Sequence, residues 1–276
     1  VSGARPAPLI DQVIDGLAVY RRPQTVTAAS SSALPPTRIV LVHGSMDRAA
    51  SFLKVVRRLP EIDVVRYDRR GYGRSVSAGV APTIDDQVDD LLAVLNGVPA
   101  AVIGHSLGGV IALTAAERRP DLVPSVGAFE APMAWADWWP TVSAGAAAVE
   151  AGRHASAADA AEQFMRRMVG DERWERLPSR TRAERRAEGP ALLAELRAIR
   201  RDAPYDPRRL TGPVVAGFGS ESKPYHQRAA RDLAELVPYG ELIVIDGAGH
   251  AAPSSHPDAF ADFVRRVVER ATEPAR

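Results

Sequence analysis

Short, continuous apolar runs recur along the chain, each bounded by glycine, proline or charged residues. Arg38 to His43 (RIVLVH), Ile62 to Tyr67 (IDVVRY) and Ala100 to Gly104 (AAVIG) are the first three. Ser125 to Phe129 (SVGAF), Pro213 to Phe218 (PVVAGF) and Glu241 to Ile245 (ELIVI) complete the set. Runs this short and this apolar predict strands buried on both faces, as in a parallel sheet. Between them the spacing turns helical. From Ile84 to Leu95, Ile84, Val88, Leu91, Leu92 and Leu95 share one face, while Asp85, Asp86, Asp89 and Asp90 lie elsewhere. Thr83, after Pro82, is the expected N-cap. Val110 to Arg118, Tyr225 to Leu236 and Pro257 to Arg270 carry further helical patterns, and Asp15-Gly16 between VI and LAVY predicts a hairpin turn. The alternation predicts an α/β protein with a mostly parallel sheet and helices on both faces.

One segment departs from the alternation. From Met133 to Tyr205 no strand-like run occurs, and all four tryptophans (Trp135, Trp138, Trp139, Trp174) lie within it. Helical patterns at Ala158 to Val169 and Pro190 to Arg201 make it a helical cap, inserted into a core formed by residues 1–132 and 206–276. The charge-dense stretch Arg176 to Arg186 reads as a solvated face.

Composition narrows the function. The 276 residues are 46% hydrophobic and 25% charged, which is ordinary for a globular protein. Thirty-five basic residues balance 34 acidic ones, for a formal net charge of +1, so a nucleic-acid partner is not expected. No run of about 18 apolar residues occurs, so a membrane-spanning helix is excluded. The opening VSGARPAPLIDQ lacks a basic region followed by an apolar stretch, so no signal peptide is expected. With no cysteine, a thiolate nucleophile, a disulfide framework and a zinc–cysteine site are excluded. The same absence fits a reducing cytoplasm.

The chemistry concentrates at Gly104-His105-Ser106-Leu107-Gly108-Gly109, directly after AAVI. This is G-x-S-x-G between a strand and a helix. The chain must turn sharply there, which puts Ser106 at a strained apex. The flanking glycines keep neighbouring side chains from colliding, and the helix N-terminus aims N–H groups at developing negative charge. Serine is a weak nucleophile and needs a base, usually a histidine held by a carboxylate. His250 is the best placed of six histidines, in Asp246-Gly247-Ala248-Gly249-His250 after the last strand. His105 should point away from the serine, His154 and His226 fall on expected helix surfaces, and His256 precedes Pro257 at a helix start.

Taken together, Leu41 to Met46 (LVHGSM), Tyr67 to Ser75 (YDRRGYGRS), GHSLGG and GAGH resemble the α/β-hydrolase superfamily, from about Leu17 to Val268. The resemblance implies Ser106 as nucleophile, His250 as base, and an oxyanion hole from the backbone N–H groups of Leu107 and Ser45. It implies a chiefly structural role for Asp68-Arg69-Arg70-Gly71. The acid departs from the commonest family pattern: Gly219-Ser220-Glu221-Ser222 has Ser222 where an aspartate usually stands. Glu130, in Phe129-Glu130-Ala131-Pro132, matches subfamilies with an E-x-P segment, and strands of a parallel sheet end at one edge, within reach of the histidine. Glu130 is therefore preferred, with Glu221 as the alternative. A serine nucleophile argues against the family's haloalkane dehalogenases and epoxide hydrolases, which use aspartate there. The expected function is hydrolysis of a small, hydrophobic carboxylic ester through an acyl-enzyme, with no metal or organic cofactor. Thioesterase, carbon–carbon hydrolase and cofactor-free haloperoxidase chemistry would share the same residues, and a non-catalytic binding protein is the reading of another class. Trp135, Trp138 and Trp139 are expected to line the substrate pocket, or else to pack the cap onto the core.

Overall fold

The computed structural model describes residues 11–25 and 38–272. The segment read for a leader therefore lies, up to Ile10, outside the described residues. Eight strands form one sheet: β1 Gln12–Ile14, β2 Leu17–Arg22, β3 Arg38–Val42, β4 Asp63–Tyr67, β5 Ala101–His105, β6 Val126–Phe129, β7 Val214–Gly219 and β8 Gly240–Ile245. Their order is β1-β2-β4-β3-β5-β6-β7-β8. The first two join antiparallel, and every pairing from β4 to β8 is parallel. The β1–β2 turn puts Asp15 at φ 48° and Gly16 at φ 82°, the left-handed pair that a two-residue hairpin needs.

Both faces of the sheet are covered, which is why the strands read as continuous apolar runs. Val40, Val42 and Val102 face one core, with Val88 and Leu91 of α2 (Ile84–Leu95) and Val110 and Ile111 of α3 (Leu107–Arg118). Ile39, Leu41, Ala101 and Ile103 face the other, with Val55 of α1 (Leu53–Val56). The helix α2 starts on a capping box in which Thr83 and Asp86 satisfy each other's backbone N–H groups.

Between β6 and β7 the chain adds five helices and, among the described residues, no strand. They are α4 Ala144–His154, α5 Ala157–Val169, α6 Asp171–Glu175, α7 Ser179–Ala187 and α8 Gly189–Ala198. The chain then completes the sheet with α9 Pro224–Leu236, α10 Ala252–Ser255 and α11 Pro257–Thr272. Phe260, Phe263 and Val264 of α11 cover the second core.

The stretch Arg176 to Arg186 is solvated along most of its length, as expected, but two of its arginines turn inward. No residue of α7 is fully buried, but its charges are used. Arg185 donates to the Met46 carbonyl at 2.8 Å, and Arg186 pairs with Asp159 at 2.7 Å and with Glu162 of α5. Acidic partners three-dimensionally close but distant in sequence make this charge run a fastening. Buried glutamates extend it: Glu195 accepts from Arg69 at 2.9 Å and from the Tyr72 hydroxyl at 2.6 Å, and Glu188 accepts from Arg48 at 2.7 Å.

Candidate active site

The order of the sheet reverses at β3, since the chain first adds β4 on one side and then β5 on the other. Ligands in open α/β sheets bind beyond the carboxyl ends of strands at such a switch point. Here the strand ends are also strained. Among the described residues five non-glycine positions have positive φ, and three of them follow neighbouring strands: Met46 after β3 (54°), Ser106 after β5 (53°) and Glu130 after β6 (50°). Backbone held in this region costs about 1–3 kcal/mol per residue and persists only where the surroundings enforce it.

Close packing enforces it at Ser106. A Cβ on Gly108 would lie 2.1 Å from the Val42 carbonyl oxygen, and one on Gly104 would lie 2.1 Å from the Gly108 oxygen. Helix α3 therefore starts pressed against the ends of β3 and β5. The Ser106 N–H donates to the Phe129 carbonyl at 2.8 Å, fixing the apex against β6. On the other side lies Gly44, where a Cβ would come within 2.9 Å of the Ser106 Cβ.

The His43–Ser45 loop beside the serine is held from beneath. Arg69, fully buried, donates through Nε to the His43 carbonyl and through Nη2 to the Gly44 carbonyl, both at 2.9 Å. His43 Nδ1 donates to the same Gly44 carbonyl at 2.8 Å, while its Nε2 accepts from the Arg69 N–H. Burial, reinforced by the Arg69 charge, pushes the His43 pKa far down and keeps it neutral. In a trans peptide the carbonyl and the next N–H point in opposite directions. With the Gly44 carbonyl turned toward Arg69, the Ser45 N–H is turned the other way.

His250 arrives from the far edge of the sheet. The loop after β8 crosses over the end of β7: the Glu221 N–H donates to the Ala248 carbonyl at 2.9 Å, and a Cβ on Gly219 would lie 2.1 Å from that oxygen. His250 Nδ1 then donates to Glu130 Oε2 at 2.6 Å. The other oxygen, Oε1, accepts from the Gly219 N–H at 3.1 Å and from the Ser222 hydroxyl. Glu130 is fully buried. Burial alone would raise its pKa, but the His250 hydrogen bond and charge, helped by Ser222, outweigh this and hold the carboxyl at about 2. Glu221 is exposed and points its backbone, not its carboxylate, at this loop.

Two further imidazoles flank His250. His105 donates from Nε2 to the His250 carbonyl at 2.7 Å, with ring centroids 4.7 Å apart. His226 stacks on the His250 ring, with centroids 4.8 Å apart and planes 28° from parallel. The placement of His226 on a helix surface is thus corrected: it lies on the inner face of α9. Desolvation, then the neighbouring His250 charge, pushes both flanking pKa values down to about 3. His154 is an exposed helix residue, as expected. Glu130, His226 and His250 together have ligand atoms within 4.8 Å of one another, enough to hold a metal ion in principle. The Glu130–His250 bond already uses the strongest donor–acceptor pair of that set.

A cavity of about 620 Å³ opens above these residues. Ser45, Ser106, Leu107 and His250 line its core side, and Phe164, Met165, Leu196 and Arg200 line the insertion side. Trp139 lines it too, packed edge-on to Tyr225 and His226. Trp135 and Trp138 do not. Trp135 packs edge-on to Tyr205, and Trp138 lies beneath the Arg228 guanidinium, 4.3 Å from its ring centroid. Three aromatics so close in sequence cannot all face one cavity from an irregular segment.

The sequence profile of the Alpha/beta hydrolase family matches residues 39–263. The chain belongs to that family. It is 31% identical to a pimeloyl-[acyl-carrier protein] methyl ester esterase of Chromobacterium violaceum over 244 residues, covering 84% of this chain and 92% of the relative. It is 38% identical to lipase LipV of Mycobacterium tuberculosis over only 95 residues, spanning about a third of each protein (33% and 36%). Among solved structures, the enol-lactonase of Burkholderia xenovorans LB400 superposes with a TM-score of 0.67 at 21% identity, covering 94% of this chain and 98% of that one. No helix among the described residues of this hydrolase is long and apolar enough to cross a membrane.

Sequence reasoning missed His226 and Arg69. An RR pair in a loop and a histidine in an amphipathic helix carry no local sign of whether they face inward. The hint for Arg69 lay elsewhere, in Glu195, an acidic residue in the mostly apolar stretch ALLAELRAI.

Proposed function

We propose that this hydrolase cleaves a carboxylic ester, or a related acyl compound, by Ser106 attack and an acyl-enzyme, with His250 as base and Glu130 as acid. The observation that carries the reading is the 2.6 Å bond from a buried, ionised Glu130 to His250 Nδ1. That bond fixes the tautomer in which Nε2 is free to accept a proton. In this mechanism Nε2 takes the Ser106 proton as Oγ attacks the carbonyl, and the imidazolium is stabilised by Glu130. The imidazolium then protonates the leaving alkoxide, and water, activated by the same Nε2, releases the acid.

The developing oxyanion would be held by the N–H of Leu107, the first residue of α3, and by that of Ser45. Donors of this kind contribute roughly 3–4 kcal/mol each to lowering the barrier. In this reading Arg69 is a positioning residue, because it orients the Gly44–Ser45 peptide. The helices of residues 133–205 serve as a cap that roofs the cavity, and the likeness to a methyl ester esterase supports an ester as the bond cleaved. The test is labelling with a fluorophosphonate followed by peptide mapping. An adduct at Ser106 that disappears in Ser106→Ala is expected. A chain that stays unlabelled while a control hydrolase reacts would be a binding protein on a hydrolase scaffold.

A further inference from the structure

Many of the described arginines have carboxylate partners. Arg48, Arg69, Arg70, Arg166, Arg185 and Arg186 each pair with at least one. Arg200 is different. It follows α8, is partly buried, and lines the insertion side of the cavity. Its Nη1 donates to the Leu196 carbonyl at 2.6 Å, and its Nη2 lies 3.5 Å from the Ser143 hydroxyl. Neither contact carries negative charge. The guanidinium also sits against the first turn of α4, 2.7 Å from where a Cβ of Gly145 would be. That turn is the positive end of the α4 dipole, and Ser143 caps it by accepting from the Ala146 N–H at 3.2 Å. Two positive features thus meet beside a cavity without an anion from the chain to balance them. Desolvation is the only influence on the Arg200 pKa, and it acts downward.

The rest of the lining has the same bias. Arg173 lines the cavity as well, as does Arg185, which is already paired with Glu188 at 3.2 Å, and Asp47 is the one acidic residue of the lining. Burial pushes the Asp47 carboxyl upward, toward its neutral form. The same lining carries Leu196, Ile199, Phe164 and Met165, an apolar group without charge.

We infer that Arg200 forms an anion subsite of the cavity, which receives the carboxylate at the far end of an acyl chain whose ester carbonyl lies at Ser106. The preferred substrates are then monoesters of aliphatic dicarboxylic acids: an apolar spacer for the lining, an ester for the serine, a carboxylate for the guanidinium. An arginine is suited to this task, since its planar fork matches a carboxylate with two parallel hydrogen bonds. The subsite deepens the ester-hydrolase reading and rests on it for the placement of the scissile bond.

Two measurements test it independently. The first is direct binding of monomethyl adipate and of methyl hexanoate to Ser106→Ala by calorimetry, which needs no turnover. Binding of the anionic ester at least tenfold tighter is expected, with the preference reduced to about twofold or less in Ser106→Ala/Arg200→Met and partly kept in Ser106→Ala/Arg200→Lys. Equal binding of the two esters, or a preference that survives Arg200→Met, overturns the subsite. The second is the ratio of kcat/KM for the same two esters in the wild-type protein and in Arg200→Met, where the ratio should fall at least tenfold. An unchanged ratio also overturns it. If neither ester nor any p-nitrophenyl ester is turned over, the ester-hydrolase reading fails, while the binding comparison still decides the subsite.

Discussion

The glutamate that holds His250 sits where its oxygens meet donors from three segments: the His250 ring, the Gly219 backbone and the Ser222 hydroxyl. Ser222, which stands where the family resemblance implies an aspartate, donates to Glu130 instead. Glu130→Gln should lower kcat by roughly 10³–10⁴-fold on short p-nitrophenyl esters, because an amide facing Nδ1 can favour the wrong tautomer. Glu221→Gln should retain most of the turnover. The opposite pattern would move the acid to Glu221. The strained turn at Ser106 was legible from the chain, since glycine spacing states its own local geometry, and GAGH marked the loop that brings His250 to Glu130. Choosing between the glutamates required knowing which loop crosses which strand, and that depends on contacts far apart in sequence.

The three clustered imidazoles also predict an acid response. His105 and His226 have folded pKa values near 3, lowered from 6.5, so the unfolded chain binds protons at them that the folded chain refuses as pH falls from 6.5 toward 3. Glu130, lowered from 4.5 to about 2, adds the same sign between pH 4.5 and 2. Stability contributed by all three is present at neutral pH and lost on acidification, at up to about 1.4 kcal/mol per pH unit for each group. Urea melts at a series of pH values should show His226→Gln with a shallower decline than the wild-type protein between pH 6.5 and 3. Parallel declines would mean that His226 takes up its proton without cost.

At the level of elements, periodicity was a good guide wherever an element is buried on a regular face. The predicted helix from Ile84 to Leu95 and the six predicted core strands all form, with ends shifted by a residue or so. It was silent on α7, whose charged sequence gives no clue that Arg186 faces α5 or that Arg185 reaches the Met46 carbonyl. One of the tight contacts between elements is at Gly108, where the backbone of α3 abuts the carbonyl of Val42. Gly108→Ala would force these backbones apart, and the atom in the way is not the end of a flexible side chain. The variant should lose about 1–3 kcal/mol of stability and most of its turnover, measured by thermal melts and ester hydrolysis. A wild-type melt with wild-type rates would mean that α3 can slide without disturbing the serine.

Across the whole molecule, the insertion and the sheet are joined by charges taken out of water. Arg69 and Glu195 are both buried at 2.9 Å, and Glu188 accepts from Arg48 and from the Gly73 N–H. A buried pair can be nearly neutral overall, but breaking one leaves an uncompensated charge that costs about 3–5 kcal/mol. Glu195→Ala should therefore destabilise by that amount in denaturant melts. Arg69→Met with Glu195→Leu should recover much of the stability while turnover stays low, because nothing then orients the Gly44 carbonyl. Recovery of both together would remove Arg69 from any positioning role.

These same buried pairs bear on how molecules reach the serine. Swinging the five inserted helices away would pull Glu188 and Glu195 off their arginines and wet all four groups at once. Traffic is left to the exposed part of the cavity lining, past Met168 and Arg173 on one side and Ser254 and Ser255 on the other. In the proposed mechanism, width and charge at that opening, more than any swing of the inserted helices, would set which compounds reach Ser106.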